Sequence, residues 1–327
     1  MLVAFGMVGS VSAVEINENL SINGFIDGSI TKTDNGTDVT PAGDTADWGL
    51  DEIEVNFLFN VGSVSGTVAL DSQNIGSSAA DGDDIEIEQA HFTYTLENGV
   101  SLTFGRYGSA LGLEREDPAG LYTYSRAYGS TAYNLGNIDS SASEGLNISY
   151  AADAWSLGLS IDNPSGSIRE SNTKNDLDFE VSLSYTGIEN LNVGIGYRKN
   201  NESNSSREVD VFNAHATYQV GKALLGVEYT ELQHSSTVVS TGDARGDRDA
   251  LTLLVDYDVS DKLGVAVRYS TYESLGATAG VDVDQITIAP NYAITESLGA
   301  ILEYSDVSHD TANMDSDTIA LELTYTF

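Results

Sequence analysis

From residue 14 to the end of the chain, apolar and polar residues alternate with a period of two almost without a break. That period belongs to strands with one apolar and one polar face. Residues 20–30 place Leu20, Ile22, Gly24, Ile26, Gly28 and Ile30 on one face, and residues 53–61 do the same with Ile53, Val55, Phe57, Phe59 and Val61. The pattern returns in Leu177 to Tyr185, in Leu251 to Val259, and in Ile319, Leu321, Leu323, Tyr325 and Phe327. Sixteen such segments begin near residues 20, 51, 64, 84, 100, 143, 154, 176, 191, 208, 223, 249, 263, 282, 298 and 316. Seven short turns alternate with eight long polar loops between them, at 32–49, 72–82, 107–140, 163–175, 199–207, 233–248, 273–281 and 306–315. Fifteen connections are what sixteen antiparallel strands require.

The aromatic residues decide between a soluble and a membrane all-β protein. Every second strand carries an outward aromatic just before its short turn: Phe59, Tyr94, Tyr150, Tyr185, Tyr218, Tyr257 and Tyr292. Tyr197, Tyr229, Tyr269 and Tyr304 mark the loop ends of later strands. Two aromatic rings one strand length apart, with an apolar band between them, are the girdles of a transmembrane β-barrel. Closure pairs every backbone group, and sixteen strands leave an interior wide enough for water. Two strands depart from strict phase: Ile85 and Ile87 against Ala90, Phe92 and Tyr94, and Val209 and Val211 against Phe212 and Ala214. Bulges, or extension above the membrane, would account for both.

Charge and composition narrow the function. Fifty Asp and Glu against 14 Lys and Arg give a net charge of −36, which excludes nucleic acid as a partner. With no Cys there is no thiol chemistry, thiolate metal site or disulfide. His91 and His215 face inward on separate strands, no G-x-S-x-G elbow or phosphate cradle occurs, and no catalytic residue, cofactor or resident metal is expected. Residues 1–13, MLVAFGMVGSVSA, read as the remnant of a secretory signal ahead of a single barrel domain at 14–327.

Three features together resemble the Gram-negative general porins: the terminal strand ending in Tyr325 and Phe327, the strand count with its alternating turns and loops, and a long third loop, 107–140. The resemblance implies a 16-stranded antiparallel transmembrane β-barrel in the outer membrane, constricted by that inserted third external loop. Tyr325 and Phe327 would be the signal read by the barrel-assembly machinery. The constriction would gather Arg106, Glu114, Arg115, Glu116, Asp117 and Arg126. In such channels loop acids face wall bases, and the field between them sorts solutes. Strict alternation aims Arg106 at lipid, so a bulge at Gly105 is expected to turn it inward.

Parity aims Arg198 and Arg268 into the lumen together with Asp27, Glu52, Glu54, Asp178, Glu180, Glu228, Asp256, Glu303 and Glu322. The resemblance implies a water-filled channel for passive diffusion of ions and small hydrophilic solutes, and the acid excess adds a preference for cations. A channel specific for a sugar or small anion, with Tyr122, Tyr124 and Tyr128 as a stacking surface, is the alternative; a non-conducting adhesin or structural barrel is another. Small outward residues on the first and third strands, Gly24, Gly28 and Gly66 among them, suggest a homotrimer contact. Loop acids such as Asp81, Asp83 and Asp84 could meet outer-membrane lipid and lipopolysaccharide through divalent cations.

Overall fold

The computed structural model describes residues 13–35, 43–73, 85–114, 117–127, 143–163, 177–201, 208–234, 247–274, 282–310 and 315–327. The strands are β1 (Val14–Asn17), β2 (Leu20–Asn35), β3 (Thr45–Val61), β4 (Val64–Gln73), β5 (Glu86–Thr95), β6 (Val100–Tyr107), β7 (Ser143–Ala151), β8 (Trp155–Asp162) and β9 (Asp178–Ile188). They continue with β10 (Leu191–Asn201), β11 (Glu208–Val220), β12 (Ala223–His234), β13 (Arg248–Asp258), β14 (Leu263–Ser274), β15 (Val283–Ala293), β16 (Leu298–His309) and β17 (Ser316–Thr326). From β2 onward each strand pairs antiparallel with the next, and β17 pairs back onto β2, which closes a sixteen-stranded barrel. A 3-10 turn, Pro118–Gly120, lies in the described part of the long third loop.

The outer face keeps its apolar side chains exposed all round, among them Phe104, Leu157, Val181, Leu253, Val255, Ile288 and Leu323. Such a surface suits hydrocarbon, not water. At the short turns Gly62, Asn190 and Gly221 adopt φ values of 64°, 65° and 59°, the left-handed backbone that tight hairpins require. The strands begin within two residues of the starts read from periodicity, with one exception. β3 starts at Thr45, because an extra residue at Asp51 shifts its register with β2 between Asp27 and Gly28 and hides the alternation of the preceding segment.

Two further bulge questions are settled by register. Glu88 is an extra residue in β5 between the pairs Leu70 with Ile87 and Ala69 with Gln89, and this puts both Ile87 and Phe92 outside. β11 runs without any shift; Val209 and Val211 face inward and are buried there. The short strand β1 was not expected. It pairs with β2 at Ile22 to Leu20, below the point where Phe327 exchanges two backbone hydrogen bonds with Gly24 (3.0 and 3.1 Å). β1 and β17 together complete the seam along β2.

Gly24 and Gly28 have a use inside this seam. A Cβ on Gly24 would collide with the carbonyl oxygen of Glu54 and approach the Phe327 ring, and one on Gly28 would stand 2.7 Å from the carbonyl oxygen of Gly49. Their small size serves close approach within the barrel.

Candidate functional site

The third loop enters the lumen from β6 and is fastened to the inner wall at successive points. Tyr107 donates its hydroxyl to Asp162 Oδ1 (2.5 Å), Ser109 Oγ donates to Glu180 Oε2 (2.6 Å), and the Ala110 amide donates to Glu180 Oε1 (2.9 Å). Arg198 supports these acceptors: its guanidinium lies 3.1 Å from Glu180, 3.6 Å from Asp178 and 3.7 Å from Asp162, and also donates to Ser143 and Asn200. Next, Leu111 packs on Val209, Val211 and Leu232, over Gly196, whose missing side chain makes the space. The Gly112 and Leu113 amides then donate to Asn213 Oδ1 (3.2 Å) and Glu228 Oε1 (3.0 Å).

Arg268 holds the far end. One guanidinium nitrogen donates to Glu114 Oε1 (2.7 Å), Thr123 Oγ1 (2.7 Å) and the Ser125 carbonyl oxygen (2.6 Å), and the other donates to Ser125 Oγ (2.8 Å). The second oxygen of Glu114 accepts from the Ala127 amide (2.7 Å), and Glu303 accepts from the Ser125 amide (3.1 Å). Between these polar clasps Tyr122 and Tyr124 cover an inward apolar patch of Leu254, Ala266, Ala289 and Ile301. Burial pushes the Tyr122 phenol up to about 12, with Asp256 and Asp258 adding to the effect, and burial likewise raises Tyr124.

The loop then faces β3. One carboxylate oxygen from each of Glu52, Glu54 and Asp117 lies within 4.8 Å of the others, and Asp71 stands opposite Glu54 in the β3–β4 register. Arg126 acts electrostatically on Glu52 and Glu322, and Thr324 donates to Asp27 (2.8 Å). Asp256 stands near Asp258 and Asn291. All eleven wall charges read from parity are buried on the inner face.

A different surface lines the turn-side half of β4 to β9. Its inward residues are Ser65, Thr67, Thr93, Thr95, Ser101, Thr103, Asn147, Ser149, Ser156, Ser182 and Ser184, with no carboxylate among them and the His91 imidazole, cross-strand partner of Thr67, beside them. None is buried. Across strands Thr93 pairs with Thr103 (2.7 Å) and Thr95 with Ser101 (3.0 Å), while Asn147 donates to the buried Ser160 at the margin of this surface (2.8 Å).

One expected constriction residue is placed elsewhere. The β5–β6 ladder passes through Gly105 without a register shift, so Arg106 stays opposite Ala90, in the register of outward Phe92 and Phe104. Its Nε donates to the Glu88 carbonyl oxygen (2.8 Å), beside the bulge in the neighbouring strand. Gly105 bends the chain through φ of 128°, where a Cβ would collide with the Ala90 carbonyl oxygen. Arg115, Glu116 and Tyr128 lie outside the described residues, as do Asp81, Asp83, Asp84 and residues 1–12. Sequence reasoning missed Asp71 and Asp162, although both lie on inward parity in strands it had already found.

A closed barrel of sixteen strands, apolar outside, polar inside and crossed by a loop, is the architecture of a porin-like channel of the bacterial outer membrane. The model of the family described as "Putative beta-barrel porin-2, OmpL-like" matches residues 9–327, and the chain belongs to that family. A search of curated proteins returned no match. Among solved structures the fold is similar to OmpF of Salmonella typhi, solved with daunomycin, at TM-score 0.73 and 16% identity, covering 96% of this chain and 100% of that one. It is similar to an anion-selective porin from Comamonas acidovorans (TM-score 0.69, 12% identity, 94% and 99% covered). The trimer form of in-vitro folded OmpT of Vibrio cholerae also matches (TM-score 0.68, 14% identity, 94% and 99% covered).

Proposed function

We propose that the protein is a non-enzymatic channel for passive diffusion of ions and small hydrophilic solutes, that it prefers cations, and that it works as a homotrimer. The observation that carries the cation preference is the surplus of acid where the loop meets β3: Glu52, Glu54, Asp71 and Asp117, with Arg126 as the counter-charge near them. Fields in a low-dielectric passage act strongly on permeating ions. A fold shared with an anion-selective porin leaves the sign of selectivity to such residues. Reversal potentials of single channels across a KCl gradient test the reading: a cation-directed potential is expected, and an anion-directed one overturns it.

The general channel is favoured over a solute-specific one because Tyr122 and Tyr124 are packed against Leu254, Ala266, Ala289 and Ile301 instead of standing free in the lumen. For the trimer, the support is the trimeric form of the Vibrio relative and the outward Ile22, Ile26, Val64 and Val68 of β2 and β4, strands without a loop-side tyrosine. Native mass in mild detergent reads the oligomer directly, and a monomer there contradicts it. Tyr325 and Phe327, ring centroids 6.0 Å apart at the end of β17, are the surface offered to the barrel-assembly machinery. Outer-membrane lipid and lipopolysaccharide complete the surroundings.

A further inference from the structure

The hydroxyl-lined stretch of the inner wall is more ordered than a merely polar surface would need to be. In one row Ser65, Thr93, Thr103 and Asn147 stand side by side on β4 to β7. In the next, Thr95, Ser101 and Ser149 lead across Gly158 to Ser182 on β9. Neighbouring strands lie about 4.8 Å apart and alternate residues of one strand about 6.7 Å apart, so the rows form a lattice of hydroxyls with those two spacings. Each hydroxyl has one proton to donate and two lone pairs to accept with. The bonds of Thr93 with Thr103 and of Thr95 with Ser101 use only part of that capacity.

The band is also flat and uncharged. Gly105, Gly145 and Gly158 take inward positions between the hydroxyls, and a Cβ on Gly158 would stand 2.7 Å from Ser182 Oγ. No carboxylate, ammonium or guanidinium stands on it, and the His91 imidazole, opposite Thr67, marks its edge. The described inward guanidiniums are committed elsewhere. Arg198 is 3% and Arg268 1% exposed among the groups they hold, Arg126 acts on Glu52 and Glu322, and Arg248 lies 5.4 Å from the Tyr272 ring centroid. A solute carboxylate therefore meets no guanidinium along the band. An ionic group brought against such a wall loses hydration that the wall does not replace, whereas a solute hydroxyl exchanges water for Ser or Thr at little net cost.

We propose that the hydroxyl lattice of β4–β9 is a track for small neutral polyhydroxy solutes, which pass it faster than zwitterions of equal size. The track deepens the channel reading and rests on it, because it names the solutes that this side of the lumen favours. Contacts along it are weak, repeated and interchangeable with water, so they ease passage without holding the solute. The Thr93–Thr103 pair and Ser149, in adjacent rows, are the residues on which the preference depends.

Swelling of liposomes that hold the refolded protein tests the track, with xylitol and L-glutamine as probes. The two have equal numbers of non-hydrogen atoms, but one is a polyol and the other a zwitterion. After correction for free diffusion, wild type is expected to pass xylitol about twofold faster or more, the scale of less than one net hydrogen bond. Thr93→Val with Thr103→Val removes both partners of one hydroxyl pair and leaves neither unsatisfied. In that double variant the ratio of the two rates is expected to fall toward equality while KCl conductance, which reports a folded channel, persists. Thr33→Val with Thr318→Val removes a like pair (2.9 Å) on β2 and β17, outside the track, and should keep the wild-type ratio. If the first double variant does not insert, Ser149→Ala carries the same expectation. Equal rates in wild type, a ratio that survives the track variants, or one that falls equally in the control overturns the proposal. Equal rates through a conducting channel remove the track and leave the porin, whereas no swelling with either solute and no conductance removes the porin reading itself.

Discussion

Two arcs of the inner wall, built from the same alternating strands, have opposite contents. From β9 to β16 the inner wall carries buried charges and apolar patches, and the third loop lies against it: Glu180, Glu228, Arg268 and Glu303 each take a loop partner, and the apolar patches take Leu111, Tyr122 and Tyr124. From β4 to the start of β9 the turn-side half is hydroxyl and amide, uncovered by the described part of the loop. Among the wall charges Glu180, Glu228, Arg268 and Glu303 position the loop, whereas the exposed stretch of wall on β4–β9 is mainly hydroxyl and amide, with His91 at its edge. The acid group around Glu54 is the exception, since it stands where the loop ends its crossing.

Removing the clasp of the fastened arc gives the largest effect. Arg268→Ala leaves Glu114 buried without its counter-charge, and breaking such a pair costs about 3–5 kcal/mol. Denaturant unfolding of the refolded barrel in detergent should show that loss, and single channels should become noisier as the loop loosens. An unchanged midpoint with quiet channels would deny Arg268 its positioning role. A smaller loss is expected from Gly196→Val, which puts a side chain where Leu111 sits; overpacking of this kind costs about 1–3 kcal/mol. The same unfolding assay reads it, and stability equal to wild type would show that the Leu111 contact is dispensable.

The smallest stability effect and a clear functional one come from the other arc. Ser149→Trp fills open lumen instead of packed wall, so stability should stay within about 0.5 kcal/mol of wild type. Its single-channel conductance should nonetheless fall below that of wild type. Full conductance in this variant would move the passage away from β4–β9.

Periodicity made the barrel legible because lipid and lumen impose opposite demands on alternate residues along every strand. It lost the segment Thr45–Leu50 and the phase of β5 for one reason, an extra residue at Asp51 and at Glu88. The inward Val209 and Val211 looked like a slipped register and are instead the seat of Leu111, a contact between residues about a hundred positions apart. Arg268 and Glu114, 154 residues apart, were each picked as lumen charges, yet nothing local announces that they bind each other. Arg106 went the other way: the bulge that matters is in the neighbouring strand, where its carbonyl oxygen gives the guanidinium a partner.

The chain has no cysteine, so a single introduced thiol can report on one position of the wall without background. The most direct measurement is single-channel current in a bilayer for Ser149→Cys and for Thr287→Cys, buried under the loop beside Arg268, before and after a charged methanethiosulfonate reagent. Passage along β4–β9 predicts a step reduction of current at Ser149→Cys and none at Thr287→Cys. The reverse pattern, an inert Ser149→Cys and a blocked Thr287→Cys, would contradict it.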